Sequence, residues 1–207
     1  MHIELTEMLR CPEPHEEGFL VLSTGEMLGR MVRSGILGCP VCGKEYPIVR
    51  GVAHFSGSRE RGAGRSAAPS GTAPRSPLPV DAERLQALLD LSGPGGYVVL
   101  LGCAARHAVG LAGLMGGIHF VGVSGPDDME ELAALSLLAC ETMIPLRQTV
   151  ARAVVVGSDR VGAEWLVEAR RVLLPGRRLV IESEQVAAPV GLTRLALGHG
   201  LFVGERR

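Results

Sequence analysis

Residues 56–79 read SGSRERGAGRSAAPSGTAPRSPLP. No apolar residue recurs there at helical or strand period. Gly, Ser, Ala, Pro and Arg dominate, which is the composition of a linker. The stretch divides a chain of 207 residues into two unequal parts. Residues 1–55 are rich in turn formers and hold Cys11, Cys39 and Cys42, three of the five cysteines. A piece that small seldom builds a sufficient hydrophobic core without a covalent or metal staple. Residues 80–207 are long enough for a small domain of their own. The expected organisation is therefore a module at 1–55, a linker at 56–79 and a second domain at 80–207.

Hydrophobic residues make up 46% of the chain and aromatics 3%, so the core must be aliphatic. A formal net charge of -1 gives no bulk attraction to nucleic acid or anionic lipid. No nucleic-acid-binding motif accompanies it. The basic residues are Arg throughout except Lys44, and they do not line one helix face. Glu4, Glu7 and Arg10 interrupt the first ten residues, so no signal peptide is expected there. The longest apolar runs are too short to span a bilayer. A cytoplasmic protein without transmembrane segments is expected, with peripheral membrane association left open. In that compartment a Cys-x-x-Cys pair points to metal or redox chemistry rather than a disulfide framework.

Cys39-Pro-Val-Cys42-Gly is such a pair. Zinc takes four ligands in a tetrahedron, usually as two pairs delivered by two turns. Glycine after the second Cys lets the backbone curl so that its amides face the thiolates. The other pair starts at Cys11-Pro12-Glu13-Pro14, where Pro14 occupies the place of a second thiolate. His15 follows, and its longer side chain can reach a metal from one position further on. The expected metal-binding set is Cys11, His15, Cys39 and Cys42. The competing reading is a module that has lost its metal and folds on hydrophobic contacts alone. His2 and His54 are spare candidates for the fourth ligand, although each also fits a surface or turn position.

From residue 80 the pattern becomes α/β. Asp81 to Leu91 is amphipathic, and Tyr97 to Leu101 is a short apolar run of the kind that forms a buried parallel strand. Residues 104–115 predict a helix and 118–123 a second strand. The run 127–140, with acids at its start, predicts a helix. Residues 153–156 predict a third strand and 161–174 a helix stopped by Pro175 and Gly176. Arg178 to Glu182 predicts a further strand. The tail from Gly191 predicts a hairpin turning at Gly198-His199-Gly200. Strands alternating with helices imply a doubly wound, mostly parallel sheet with an antiparallel hairpin at its edge.

Two resemblances follow from these residues. The run from Gly38 to Phe55, Cys39-Pro-Val-Cys42 followed by Tyr46-Pro47-Ile48 and Gly51-Val52, resembles the end of the small zinc-ribbon proteins that activate tRNA, rRNA and protein methyltransferases. Those proteins read C-x-x-C-x-x-x-Y-P-I-x-D-G-I-P; here Arg50 replaces the Asp and Ala53 the Pro. The resemblance implies a zinc-ribbon fold. The second half resembles class I S-adenosylmethionine-dependent methyltransferases. Val98 to His107 is similar to their first motif, V-L-D-x-G-x-G-x-G, and Phe120 to Ser124 to V-x-G-V-D. Glu168 to Ile181 is similar to E-x-x-R-V-L-x-P-G-G-x-L-x-I. That resemblance implies a methyltransferase-like Rossmann sheet. The interval between its second and fourth strands leaves little room for a full third one.

Carried onto this chain, the cofactor positions are Gly102, Ala104, Arg106 and Ser124. Only Gly102 keeps the family residue. Leu100 replaces an acid, Ala104 and Arg106 replace glycines, and Ser124 replaces the ribose-binding acid. Each lost acid removes a charge-assisted hydrogen bond worth roughly 1.5–3 kcal/mol. Positions that build the sheet are family-like and positions that touch cofactor are not. The expectation is a pseudoenzyme that makes protein–protein interactions as a scaffold or binding subunit of a larger assembly. S-adenosylmethionine binding is not expected. Two alternatives stay open: an atypical S-adenosylmethionine-dependent methyltransferase, and an activator of a separate methyltransferase. A further option is that Arg106 and His107 hold a different anion at a helix start. No nucleophile–base pair is visible. Cys103, Cys140 and Trp165 read as core residues, His119 and His199 as lacking partners, and Asp127 and Asp128 as helix-start acids.

Overall fold

The computed structural model describes residues 1–55, 80–129 and 132–207. The expected linker at 56–79 lies outside the described residues. The N-terminal part has a 3-10 turn at Ile3–Met8 and six short strands. These are β1 (Val21–Thr24), β2 (Met27–Leu28), β3 (Met31–Val32), β4 (Gly35–Gly38), β5 (Glu45–Val49) and β6 (Val52–His54). The second part runs α1 (Ala82–Leu89), β7 (Tyr97–Leu101), a 3-10 turn (Gly102–His107), α2 (Ala108–Leu114), β8 (His119–Val123), β9 (Leu135–Ala139) and β10 (Ala151–Val156). It continues with a 3-10 turn (Ser158–Arg160), α3 (Ala163–Val172), β11 (Leu173–Ile181), β12 (Leu192–Gly198) and β13 (Leu201–Arg206).

Among the described residues, eleven strands join in one sheet, ordered β1-β4-β5-β6-β9-β8-β7-β10-β11-β13-β12; β2 and β3 pair separately. The stretch β9-β8-β7-β10-β11 is parallel throughout. Numbered within the second part, it is the Rossmann order 3-2-1-4-5. The terminal hairpin β12–β13 closes that side antiparallel, as the sequence predicts. The expected methyltransferase-like Rossmann core with small added β elements is present. On the other side β6 pairs in parallel with β9, Val52 facing Leu137 and His54 facing Ala139. The antiparallel strands of the first part therefore extend the parallel sheet of the second.

One expected element is overturned. The described residues of 127–140 contain no helix; the second half is strand β9, the third strand for which the sequence leaves little room. The run Leu135-Ser-Leu-Leu-Ala is flanked by β8 and β6 and buried on both faces, so sheet pairing decides its state over local helix propensity. Connections shrink to make room. No helix lies between β8 and β9 among the described residues, and none between β9 and β10.

The sheet separates two apolar layers. One face packs Val98, Leu100, Phe120 and Val155 against Leu85 and Leu89 of α1 and Leu111 of α2. Asp81 caps α1 by accepting the Arg84 N–H at 2.7 Å. The other face packs Val99, Leu101, Val121 and Val154 against α3 and the N-terminal segment, with Leu5 and Leu9 fully buried. That segment covers the stretch where a crossover helix is missing. Arg10 N–H donates to the Pro145 carbonyl (3.1 Å) and Arg147 N–H to Met8 (2.8 Å).

Candidate functional site: a Cys3His cluster and a closed crevice

Two turns build the first site. Cys39 follows β4 directly, and its carbonyl accepts the Gly43 N–H at 2.9 Å, while its own N–H donates to the Lys44 carbonyl at 2.8 Å. Gly43 has φ +70°, a conformation that glycine enters without Cβ strain, and this closes the knuckle that carries Cys42. The opposite turn starts where Arg10 bonds to Pro145, and it presents Cys11 and then His15. The ligand atoms of Cys11, His15, Cys39 and Cys42 all lie within 4.8 Å of one another. Cys11 Sγ is 3.7 Å from Cys42 Sγ, and Cys39 Sγ is 3.4 Å from His15 Nε2. A tetrahedron with metal–sulfur bonds of about 2.3 Å has sulfur–sulfur edges of about 3.8 Å. All five cysteines are free thiols.

The surroundings suit a cation. His15 Nδ1 donates to the Glu16 carbonyl at 2.7 Å, since a carbonyl only accepts. That leaves Nε2, the atom facing Cys39, as the bare lone pair. Burial alone would raise the Cys39 thiol, but the backbone N–H groups of Cys42 and Val41 outweigh it and bring it down to about 7. Burial pushes the Cys11 thiol up to about 11, against the pull of the Tyr46 hydroxyl and the Glu13 amide. A bound divalent cation supplies the positive charge a buried Cys11 thiolate needs. Burial first, and then the Cys11 contact, hold the Tyr46 phenol above its ordinary range. This donor set is capable of holding a metal ion. The spare candidates do not join it. His2 stacks against His119, ring centroids 4.9 Å apart, and His54 lies in β6.

The second site lies outside the carboxyl ends of β7, β8 and β10, where a doubly wound sheet binds its ligand. Here the turns after β7 and β10 contact one another. Gly102 has φ +63°, and a Cβ there would collide with the Asp159 carboxylate and the Arg160 stem. Cys103 N–H donates to Asp159 Oδ1 at 2.8 Å. Gly157 N–H donates to the Leu101 carbonyl at 2.9 Å, and a Cβ on Gly157 would press on Cys103 and Ala104. The Ser158–Arg160 turn after β10 is thus packed onto the turn after β7. Ala104 is fully buried beneath it. Ser124 has φ +50°, its N–H donates to Leu138 and its hydroxyl to the Cys140 carbonyl. Arg106 turns away and pairs with Asp128 at 3.1 Å. Asp128 is therefore a partner of Arg106 rather than a helix-start acid.

Sequence reasoning missed a buried pair beside this crevice. His107 Nε2 lies 2.6 Å from Glu182 Oε1, with side chains 0% and 1% exposed. Cys103 Sγ reaches the other Glu182 oxygen at 3.7 Å. Glu182 directly follows β11 and His107 ends the turn after β7, so the pair ties two regions 75 positions apart in sequence. The available signal was an acid at the carboxyl end of an apolar strand. Burial raises the Cys103 thiol and the Asp159 carboxylate adds to it, which is the opposite of nucleophilic activation. His119 also has a partner after all: its Nε2 lies 2.8 Å from Ser136 Oγ. Trp165 and Cys140 are core residues, as expected, but Cys103 is only half-buried, at the edge of the turn after β7 where it meets Ser158 and Asp159.

No protein-family model matches the chain, and no curated protein matches it. Solved structures do. The complex between the Haloferax volcanii Trm112 methyltransferase activator and the putative methyltransferase is 21% identical, covering 48% of this chain and 50% of that chain, with a TM-score of 0.40. A SAM-dependent methyltransferase from Aquifex aeolicus is 17% identical over 61% of this chain and 88% of that one, at 0.45. The geranyl diphosphate C-methyltransferase from Streptomyces coelicolor A3(2), with Mg2+, geranyl diphosphate and S-adenosyl-L-homocysteine, is 19% identical over 48% and 43%, at 0.39. The chain spans half or less of the length of the first of these structures. No helix among the described residues is long and apolar enough to cross a membrane.

Proposed function

We propose that this chain is a non-catalytic, pseudo-methyltransferase-type subunit that docks on a larger protein assembly in the cytoplasm, with a structural Zn2+ held by Cys11, His15, Cys39 and Cys42. The observation that carries the first part is the closure of the crevice. The position that a cofactor would need after β7 is filled by Asp159 and Arg160, and Asp159 accepts the Cys103 N–H. Ser124, in the place of a ribose-binding acid, is engaged with the Cys140 carbonyl. The zinc reading rests on the convergence of four soft or borderline donors in a module with little core of its own.

The alternative of an atypical S-adenosylmethionine-dependent methyltransferase requires residues 157–160 to move aside. Calorimetric titration with S-adenosylmethionine and S-adenosylhomocysteine separates the two readings. No heat is expected at millimolar ligand; saturable binding would establish the alternative. A second alternative is an activator of a separate methyltransferase. The pairing of β6 with β9 weighs against it, because the module's edge strand is already hydrogen-bonded to the chain's own sheet. Native mass measurement of material isolated from its source should find a stoichiometric protein partner, and a free monomer would count against the scaffold reading.

A further inference from the structure

The three sulfurs of the cluster obtain charge relief from different sources. Cys42 is exposed and meets water. Cys39, 4% exposed, faces the backbone amides of Cys42 and Val41. Cys11, 6% exposed, has the Glu13 amide and one side chain, Tyr46, whose hydroxyl oxygen lies 2.9 Å from its Sγ. Lys44, the nearby ammonium, is already paired with Glu13 at 2.6 Å. Three thiolates and one imidazole on a divalent cation leave a net negative centre. Of the two buried sulfurs, Cys39 has two backbone amides and Cys11 is the one that carries a hydroxyl. A metal-bound Cys11 has no S–H, so in that contact the phenol must donate and the sulfur accept.

The donor is held in place from behind. Tyr46 is 2% exposed in β5, opposite Leu37 of β4, and its ring lies 5.0 Å from that of Phe55. Phe55 N–H in turn donates to the Ala139 carbonyl at the end of β9, at 2.7 Å. The phenol therefore connects the metal cluster to the seam between the two parts of the sheet.

We propose that Tyr46 is a positioning residue of the metal centre, donating a hydrogen bond to the Cys11 thiolate and thereby setting the charge on that ligand and the affinity of the site. This rests on the metal reading above. Partners of this kind hold a ligand's orientation and charge, and their loss costs about 10- to 100-fold in metal affinity. The test uses the full chain loaded with cobalt(II) as a spectroscopic stand-in for zinc. Tyr46→Phe keeps the ring and removes the donor. Its thiolate-to-cobalt charge-transfer band should move to longer wavelength, and zinc competition against a chelator should show about 10- to 100-fold weaker binding. Phe55→Leu loosens the ring without touching the hydroxyl and should leave the band in place. An unmoved band in Tyr46→Phe, or equal shifts in both variants, overturns the proposal. Should Tyr46→Phe fail to fold, the tyrosine Raman doublet of the wild-type chain decides. Zinc addition must change it in the sense of a stronger phenol donor, and an unchanged doublet overturns the proposal. A wild-type chain that takes up neither ion overturns the metal reading itself, an outcome distinguishable from a bound cobalt whose spectrum ignores Tyr46.

Discussion

At the N-terminal knuckle, residues up to 31 positions apart converge: the four donor atoms all lie within 4.8 Å of one another, and Cys11 Sγ faces Cys42 Sγ at 3.7 Å. At the carboxyl ends of β7 and β8 the marked residues do the reverse. Cys103 N–H, the Ser124 hydroxyl and Arg106 each take a partner from the same chain, and the Ser158–Arg160 turn packs onto the turn after β7. Both regions carry family-like sequence, but only the first gathers its polar atoms within reach of one common point. A site is therefore better judged by where its lone pairs and N–H groups point than by how many motif letters survive.

The largest effect expected from this comparison is loss of the metal. Apparent binding free energies for structural zinc in small modules reach about 10 kcal/mol or more, and that energy is folding energy. Chelation, or Cys39→Ser, should remove hydrogen-exchange protection throughout residues 20–55. Because β6 pairs with β9, protection should also fall in Leu135–Ala139 while β11 and β13 keep theirs. Unchanged exchange in β9 would break the claim that the metal module supports the second part.

Next in size is the pair beneath the crevice. Removing one partner of a buried hydrogen bond leaves the other unsatisfied, at a cost of about 1–3 kcal/mol. Glu182→Ala should lower the unfolding free energy in urea melts by that margin, since both side chains are essentially inaccessible. Replacing both partners with apolar residues, His107→Phe with Glu182→Leu, should recover part of the loss. A neutral Glu182→Ala would show that this corner is looser than its burial implies.

The cluster of Cys11, His15, Cys39 and Cys42 was legible in the sequence because its spacing is local within each turn. Two turns with Cys at fixed spacing, and a His one position late, are visible without knowing the fold. The parallel core was legible from its apolar runs for the same reason. Strand β9 was not, because Leu135–Ala139 has helix-compatible residues after acids and only its two flanking strands make it extended. The crevice plug was not legible either. Asp159 meets Cys103 across 56 positions and Glu182 meets His107 across 75, and no periodicity encodes such contacts. The eroded motif left open how Arg106 is placed; in the structure it pairs with Asp128, and Asp159 is the residue that meets the turn after β7.

A smaller, pH-dependent effect tests the other face of the sheet. His119 packs against His2 and Tyr97 and bonds to Ser136, which also accepts the His2 N–H at 2.8 Å. Burial first, then the His2 ring and the N-terminal ammonium, lower His119 from 6.5 to about 4. His2 is lowered by burial and by Arg30, which itself pairs with Glu4. A depressed folded value means the unfolded chain binds the proton first. The contribution to stability is complete above about pH 6.5 and is lost as pH falls toward about 4. Denaturation between pH 7 and 4.5 should show this decline, at no more than about 1.4 kcal/mol per pH unit for one proton. His119→Gln should flatten it.

The smallest effect returns to the plug. The Asp159 side chain is 47% exposed, so water can replace much of what its carboxylate gives the Cys103 N–H. Asp159→Ala should cost only about 1 kcal/mol in denaturant melts. If Asp159 alone bars the crevice, that variant should gain heat on titration with S-adenosylmethionine. The expectation is that it stays silent. Leu100 is sealed in the core and offers no carboxylate, and Ser124 holds the end of β9 through the Cys140 carbonyl. A gain of binding in Asp159→Ala would mean that the crevice is closed by one side chain over a working site. Silence means that closure is distributed over β7, β8 and β10, as the separate contacts at Gly102, Ser124 and Gly157 imply.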